Sequence, residues 1–292
     1  MPEMQSSVRH IEPDAQPPPV FGADDYSKGL GAVPYERNPH WLNFFALIAG
    51  ELVRSLSPRK VLDAGCAWGF LVEAFWDRGV AACGVDISHY AISKVRPDIA
   101  EYCLQASLTR PFEGAPYDLI TCIEVLEHMP APEARLAIEN MTRAADCILF
   151  SSTPDDFEEA THVNVRPVYD WLRLFAEFQF SPDPGFDASF VAPHAMLLRR
   201  SEIPLAEDVI RLFCEVLRHR RDRAAFLNRQ TRLETLESEN LSLRQRLRET
   251  EGAVVDHREK VDELMNGVIR WDDAGKDADR PGLGCRSRTR SG

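Results

Sequence analysis

The chain has 292 residues, of which 44% are hydrophobic and 27% are charged, as in an ordinary globular protein. Its net charge of −12 argues against non-specific nucleic-acid binding and against a basic helix on a membrane surface. The sequence contains neither an apolar run of ~18 residues nor a secretory signal pattern, and its seven cysteines never occur as CxxC. These features exclude a disulfide framework and predict a cytoplasmic protein without a transmembrane segment.

The first part of the chain changes character near residue 36. Residues 1–35 are rich in proline and poor in apolar residues, which predicts a flexible N-terminal arm. From His40 the apolar residues recur at helical spacing, and this pattern ends at Ser57-Pro58. The sequence therefore predicts an arm followed by a first helix of the globular domain.

Strands and helices then alternate, and the strands are almost entirely apolar. Strands are predicted at 61–64, 81–86, 101–104, 117–123 and 147–152, and a closing pair at 187–193 and 195–200. Helices are predicted at 70–78, 88–95, 132–145 and 168–178. This alternation is typical of an α/β fold in which helices cover both faces of a parallel sheet.

The C-terminal third is predicted to be helical. Residues 201–225 form a predicted connector, and a heptad repeat can be written over 226–271. Its best stretch places leucines at a and d positions, namely Leu233, Leu236, Leu243 and Leu247. Asn240 at an a position favours a parallel two-stranded coiled coil and hence a homodimer, whereas a single solvated helix packed on the domain is the alternative. Residues 272–292 are predicted to be a disordered tail.

The most informative motif is VLDAGCAWGF, which joins the first strand to a helix. Its glycines, Gly65 and Gly69, are spaced G-x-x-x-G, which differs from the G-x-G-x-x-G of dinucleotide-binding folds. Asp63 precedes the turn, where an acid suits a cationic ligand better than a phosphate. Asp86 ends the second predicted strand, where a carboxylate can accept both hydroxyls of a ribose.

In order along the chain, DAGCAWGF, GVDIS and YDLITCIEVLEHM resemble the class I S-adenosylmethionine-dependent methyltransferases. The resemblance extends over roughly residues 40–200. It implies a Rossmann-like, seven-stranded, mostly parallel sheet within a domain at 36–200. It also implies S-adenosyl-L-methionine as the cofactor.

The resemblance assigns roles around that cofactor. Gly65 and Gly69 would approach the methionine part and Asp63 its amino group, while Asp86 would hold the ribose. An acid that often binds the adenine is replaced here, so that Ser107 or a backbone group would substitute for it. The full predicted set is Asp63, Gly65, Cys66, Gly69, Asp86, Ile87, Ser107 and Cys122.

Candidate residues for the transfer step follow the fourth and fifth strands. Glu124, Glu127 and His128 stand in IEVLEHM, and a helical turn there would place all three on one side. His162 follows the fifth strand, whose carboxyl end borders the same crevice. A neutral hydroxyl is a weak nucleophile, so its methylation needs a base or a metal ion. The predicted catalytic residues are His128, His162 and Glu124.

The pattern E-x-x-E-H with a later histidine also resembles a known metal site. Methyltransferases that modify the 2′-oxygen at small-RNA 3′ ends carry this pattern, and ubiquinone-biosynthesis O-methyltransferases share its first part. The resemblance implies Mg²⁺ or Mn²⁺ held by Glu124, Glu127, His128 and His162. Some metal-independent relatives have a similar motif, and by resemblance to them His128 would line the pocket without an ion. A metal site and a metal-free pocket both remain open.

Three functions are consistent with these features. The leading one is O-methylation of a small-molecule or glycan hydroxyl. The second is metal-dependent 2′-O-methylation of RNA, against which the net charge of −12 and the lack of a basic, aromatic-rich module argue. The third is a methyltransferase-like scaffold that acts through its coiled coil.

Overall fold

The computed structural model describes residues 21–22, 33–112 and 114–278, and its centre is one seven-stranded sheet. The strands are β1 (Lys60–Ala64), β2 (Ala81–Asp86), β3 (Cys103–Gln105), β4 (Leu119–Ile123), β5 (Cys147–Ser151), β6 (Phe180–Pro182) and β7 (Met196–Arg200). The helices are α1 (Pro39–Leu56), α2 (Phe70–Trp76), α3 (His89–Ile92), α4 (Ala131–Ala144), α5 (Val168–Glu177) and α6 (Glu207–Ala278).

The strand order is β3-β2-β1-β4-β5-β7-β6, and β7 is the one strand of this sheet that runs opposite to the other six. The predicted Rossmann-like, seven-stranded, mostly parallel sheet is therefore confirmed. Because β1, β2, β3, β4 and β5 are parallel, their carboxyl ends share one edge of the sheet. In open α/β sheets this edge is where ligands bind.

Local signals in the sequence account for the ends of the first helix. The Asn38 side chain accepts a hydrogen bond from the Trp41 backbone N–H at 3.1 Å, which caps the start of α1. At the other end, Ser57 adopts a left-handed conformation and its N–H donates to the Val53 carbonyl. The apolar face between these caps includes Ile48 and Leu52, which are fully buried.

The predicted strand at 187–193 is wrong, and β6 takes its place in the sheet. The Asp187 side chain accepts a hydrogen bond from the Ser189 backbone N–H, and Val191 N–H donates to the Ala188 carbonyl. These local bonds hold the segment in turns and keep it out of the sheet. β6 has only three residues, and its Phe180 is fully buried.

Two other elements are shorter than predicted. The helix expected at 88–95 is the single turn α3, which Ser88 caps by accepting a hydrogen bond from the Ala91 N–H. The strand expected at 101–104 begins two residues later, since a 3₁₀ turn occupies Ala100–Tyr102.

The last helix, α6, has 72 residues. Its first turns bury Ile210, Phe213 and Leu217. The chain divides into two compact units, Met1–Ala225 and Phe226–Gly292. Residues 272–278 are helical and so do not begin the predicted disordered tail, while 279–292 and most of the predicted N-terminal arm lie outside the described residues.

Among the residues that the structure describes, no helix is both long enough and apolar enough to cross a bilayer.

Candidate active site

The turn between β1 and α2 is built from residues with positive φ. Gly65 has φ +87°, Ala67 has φ +46° and Gly69 has φ +71°. The backbone N–H groups of Gly65 and Cys66 both donate to the Val85 carbonyl, at 2.7 and 3.0 Å. The glycine motif therefore forms a tight loop fastened to β2 at the carboxyl edge of the sheet.

Gly65 also packs directly against Val125, which follows β4. A methyl group added at Gly65 would lie 2.3 Å from Cγ2 of Val125, closer than any real carbon contact. The predicted cofactor turn therefore touches the segment that carries Glu124 and Glu127. A residue with a side chain cannot occupy this position unless the Val125 side chain moves.

Gly65→Ala is expected to destabilise the domain more than Gly79→Ala does. Both glycines have φ between +70° and +90°, so both variants incur the left-handed penalty of about 1–2 kcal/mol. Among the described residues nothing lies within 4 Å of a methyl group at Gly79, so only Gly65→Ala adds the clash with Val125, worth about 1–3 kcal/mol more. Urea unfolding of the two variants measures the difference. Equal losses would mean that Val125 moves aside freely.

Asp86, the last residue of β2, has a buried carboxylate beneath this turn. Its Oδ2 accepts from the Ala67 backbone N–H and its Oδ1 from the Ser88 backbone N–H, each at 2.8 Å. Burial raises the pKa of Asp86, and these two hydrogen bonds oppose the rise. Each carboxylate oxygen keeps a second lone pair. The group can therefore fasten the turn and still accept hydrogen bonds from a diol.

Asp63 lies on β1 in register with Thr121 of β4. The Thr121 hydroxyl donates to Asp63 Oδ1 at 2.6 Å. Burial raises the pKa of Asp63 to about 7, although the Thr121 bond works in the opposite direction. A cationic group bound beside this carboxyl would favour its ionised form. The site is thus suited to an ammonium group, as predicted for the amino group of the cofactor.

The remaining predicted cofactor residues lie along the same edge. Ile87 and Ser107 follow β2 and β3 and are half-buried. Cys66 is buried within the turn. Cys122 is fully buried inside β4, and burial raises the pKa of its thiol.

Glu124 departs from the predicted helical turn. Its φ of +52° is left-handed, and the following 3₁₀ turn spans only Leu126–His128. Glu124 therefore does not share a helix face with Glu127 and His128. Such backbone strain in a residue other than glycine is concentrated at functional sites.

His194 is the partner of Glu124, and no sequence motif predicted this pairing. The ring Nε2 lies 2.9 Å from Glu124 Oε1, and both side chains are half-buried. Burial alone would raise the pKa of Glu124, but the hydrogen bond and electrostatic attraction of His194 outweigh it and lower that pKa. The only signal in the sequence was one histidine directly before the last strand.

Glu127, His128 and His162 do meet. One potential ligand atom from each lies within 4.8 Å of the others. Atoms bound to one ion at about 2.0–2.2 Å lie no more than about 4.4 Å apart, so a small adjustment would seat an ion. Glu127 is fully buried, and its Oε2 accepts no hydrogen bond that meets normal geometry among the described residues. Burial raises the pKa of Glu127, and the negative charge of Glu124 raises it further.

Both histidine rings are oriented by backbone carbonyls. His128 Nδ1 lies 3.3 Å from the Thr161 oxygen, and His162 Nδ1 lies 2.8 Å from the Asp156 oxygen. A carbonyl only accepts, so the tautomer with its proton on Nδ1 suits both contacts and leaves a lone pair on Nε2 of His128. Nε2 of His162 lies 3.4 Å from Glu159 Oε2. Metal-binding histidines are commonly held in this way.

The loop with His162 is docked on the 3₁₀ turn. The backbone N–H groups of Val163 and Asn164 both donate to the Glu127 carbonyl at 2.9 Å, and the Asn164 side chain donates to the Leu126 carbonyl. These bonds explain how His162 reaches His128, with ring centroids 4.7 Å apart.

Residues 35–184, about half of the chain, match the family model described as a methyltransferase domain. The chain belongs to the class I S-adenosylmethionine-dependent methyltransferases. Known members of the family use S-adenosylmethionine, and the turn, Asp63 and Asp86 described above fit that cofactor.

Individual relatives match less of the chain. A ubiquinone biosynthesis O-methyltransferase from Azoarcus sp. (strain BH72) is 33% identical over 111 residues, which is 35% of this chain and 48% of the relative. One from Paraburkholderia phytofirmans is 32% identical over 131 residues, or 40% of this chain and 52% of the relative. The chain thus spans about half the length of these curated relatives.

A solved structure is also similar. The magnesium protoporphyrin IX methyltransferase of Synechocystis, with bound S-adenosylmethionine, is 22% identical, with a TM-score of 0.43. The match covers 55% of this chain and 79% of that one.

Proposed function

We propose that this chain transfers a methyl group from S-adenosylmethionine to a hydroxyl oxygen of a small molecule or glycan, assisted by a divalent ion. The observation that carries the proposal is the packing of Gly65 against Val125. This contact brings the cofactor turn next to the segment that carries Glu127 and His128. A methyl donor and an ion that prepares the acceptor need this proximity, because displacement at a methyl group requires alignment of both partners.

The reaction is an in-line displacement. A bond forms between the acceptor oxygen and the methyl carbon while the bond from that carbon to the sulfur breaks. The electron pair of the broken bond stays on sulfur, which gives neutral S-adenosylhomocysteine, and the hydroxyl proton passes to water. A divalent ion would orient the hydroxyl and lower its pKa. Glu127, His128 and His162 are the residues that would hold it. Asp86 would hold the ribose of the cofactor in place, and this would orient the methyl group on the sulfonium.

The donor set bears on which ion is bound. Two imidazoles and one carboxylate suit a transition-metal ion such as Mn²⁺ better than Mg²⁺, which prefers oxygen ligands. Glu124 is better explained as the partner of His194 than as a ligand. We therefore assign the ion to Glu127, His128 and His162, with Mn²⁺ as the better candidate.

The loop around His162 favours an acceptor without phosphates. It carries four acidic residues within the five positions 155–159, namely Asp155, Asp156, Glu158 and Glu159. Of these, Asp155 forms an ion pair with Arg221 at 2.6 Å. The net negative charge that these residues leave beside His162 repels a polyanion. This supports a neutral hydroxyl compound over RNA, the other acceptor class with the same metal pattern.

An acceptor survey tests the proposal. The full chain is incubated with methyl-labelled S-adenosylmethionine, Mn²⁺ and three acceptor classes, namely polyhydroxylated aromatics, oligosaccharides and small RNAs with free 3′ ends. We expect label in an uncharged hydroxyl compound, with mass spectrometry placing the methyl group on oxygen. Label in RNA alone would favour the 2′-O-methyltransferase alternative. A chain that binds no cofactor in calorimetry would instead be a scaffold.

A further inference from the structure

Within the second compact unit, α6 exposes a stripe of large apolar side chains. In a heptad repeat with Phe226 at position a, the a and d positions between 233 and 247 hold four leucines. Their exposed fractions are 60% for Leu233, 42% for Leu236, 56% for Leu243 and 59% for Leu247. Four leucines at a and d spacing, uncovered in one chain, form the seam that a coiled coil buries.

We propose that this stripe is the interface of a parallel, in-register, two-stranded coiled coil with a second copy of this chain. The proposal is independent of the reaction proposed above. It rests on the side chains that flank the seam, because those side chains set the partner and the orientation of a coiled coil.

The flanking charges are complementary between two parallel copies. In a parallel dimer, a g residue faces the e residue five positions later on the other helix. Three successive pairs of this kind have opposite charge, namely Arg232 with Glu237, Glu239 with Arg244, and Arg246 with Glu251. Two-fold symmetry doubles them to six attractive pairs.

The seam also contains one polar residue that fixes the register. Asn240 occupies an a position midway between Leu233 and Leu247. An asparagine at this position lowers the stability of the coiled coil. It can pair with the same asparagine of the second copy only when the two helices are parallel and aligned. The six charge pairs require the same alignment. Two independent features therefore select one register.

A charge-reversal experiment tests the orientation and the partner together. One full-length variant reverses the g positions, R232E/E239R/R246E, and another reverses the e positions, E237R/R244E/E251R. Each variant alone would place six like-charged pairs along its seam, whereas a mixture of the two restores six attractive pairs. The matched control, E234R/R248E/E249R, makes three reversals at positions outside the seam.

Sedimentation and light scattering in 0.15 M salt give the readout, with circular dichroism checking that every variant stays helical. We expect the wild type and the control to be dimers. Each seam variant should dimerise at least ~100-fold more weakly, and the mixture should form a heterodimer.

Three results would overturn the proposal. The first is a monomeric wild type at micromolar concentration, and the second is a trimer or tetramer. The third is that the seam variants dimerise as well alone as when mixed, since the flanking charges would then not set the pairing.

Discussion

Glu127→Gln is expected to reduce methyl transfer at least ~100-fold while S-adenosylmethionine binds within about threefold of the wild-type affinity. The substitution removes the only carboxylate of the proposed metal set and preserves side-chain volume. EDTA should abolish turnover by the wild type, and Mn²⁺ should restore it. Mn²⁺ affinity, measured by electron paramagnetic resonance, should fall in the variant.

Glu124→Gln is the matched control for that experiment. Its carboxylate contacts His194 at 2.9 Å and lies outside the proposed ligand set, while its charge raises the pKa of Glu127. Removing that charge favours the ionised form of Glu127, so we expect Mn²⁺ affinity to stay far closer to wild type than in Glu127→Gln. An equal loss in both variants would return Glu124 to the metal ligands, as the sequence analysis predicted. Full activity in EDTA would exclude the ion altogether and leave His128 or His162 as the candidate base.

The central part of the sheet was predictable because its strands are almost wholly apolar. β1, β2, β4 and β5 are buried along nearly their whole length, and a strand buried on both faces needs such a run. β6 could not be found in this way. Three residues are too few to show a pattern, and the more apolar stretch after them is held in turns by the Asp187 side chain.

The candidate site was predictable where its residues follow the carboxyl ends of the parallel strands that the sequence pattern predicts. The turn from Gly65 to Gly69 and the acid at Asp86 follow directly from strand ends. The pairing of Glu124 with His194 depends on β7 entering the sheet beside β5, which brings together residues 70 positions apart. The left-handed conformation of Glu124 was equally hidden, because the spacing in IEVLEHM is that of an ordinary helical turn.

Asp86→Asn is expected to weaken S-adenosylhomocysteine binding at least ~10-fold. Two hydrogen bonds from ribose hydroxyls to a charged carboxylate contribute about 1.5–3 kcal/mol each, and the amide loses one acceptor oxygen and all of the charge. The same carboxylate also holds the N–H groups of Ala67 and Ser88. A fall in affinity alone would therefore not separate ribose recognition from damage to the turn.

A cofactor analogue that lacks both ribose hydroxyls separates the two effects. Calorimetry with both ligands on both proteins forms a double-mutant cycle. If Asp86 binds the ribose, the wild type should prefer the complete ligand at least ~10-fold, and Asp86→Asn should lose most of that preference. Damage to the turn would weaken both ligands by the same factor and preserve the preference. If Asp86→Asn keeps the full preference for the complete ligand, the role of Asp86 is limited to holding the glycine turn on β2.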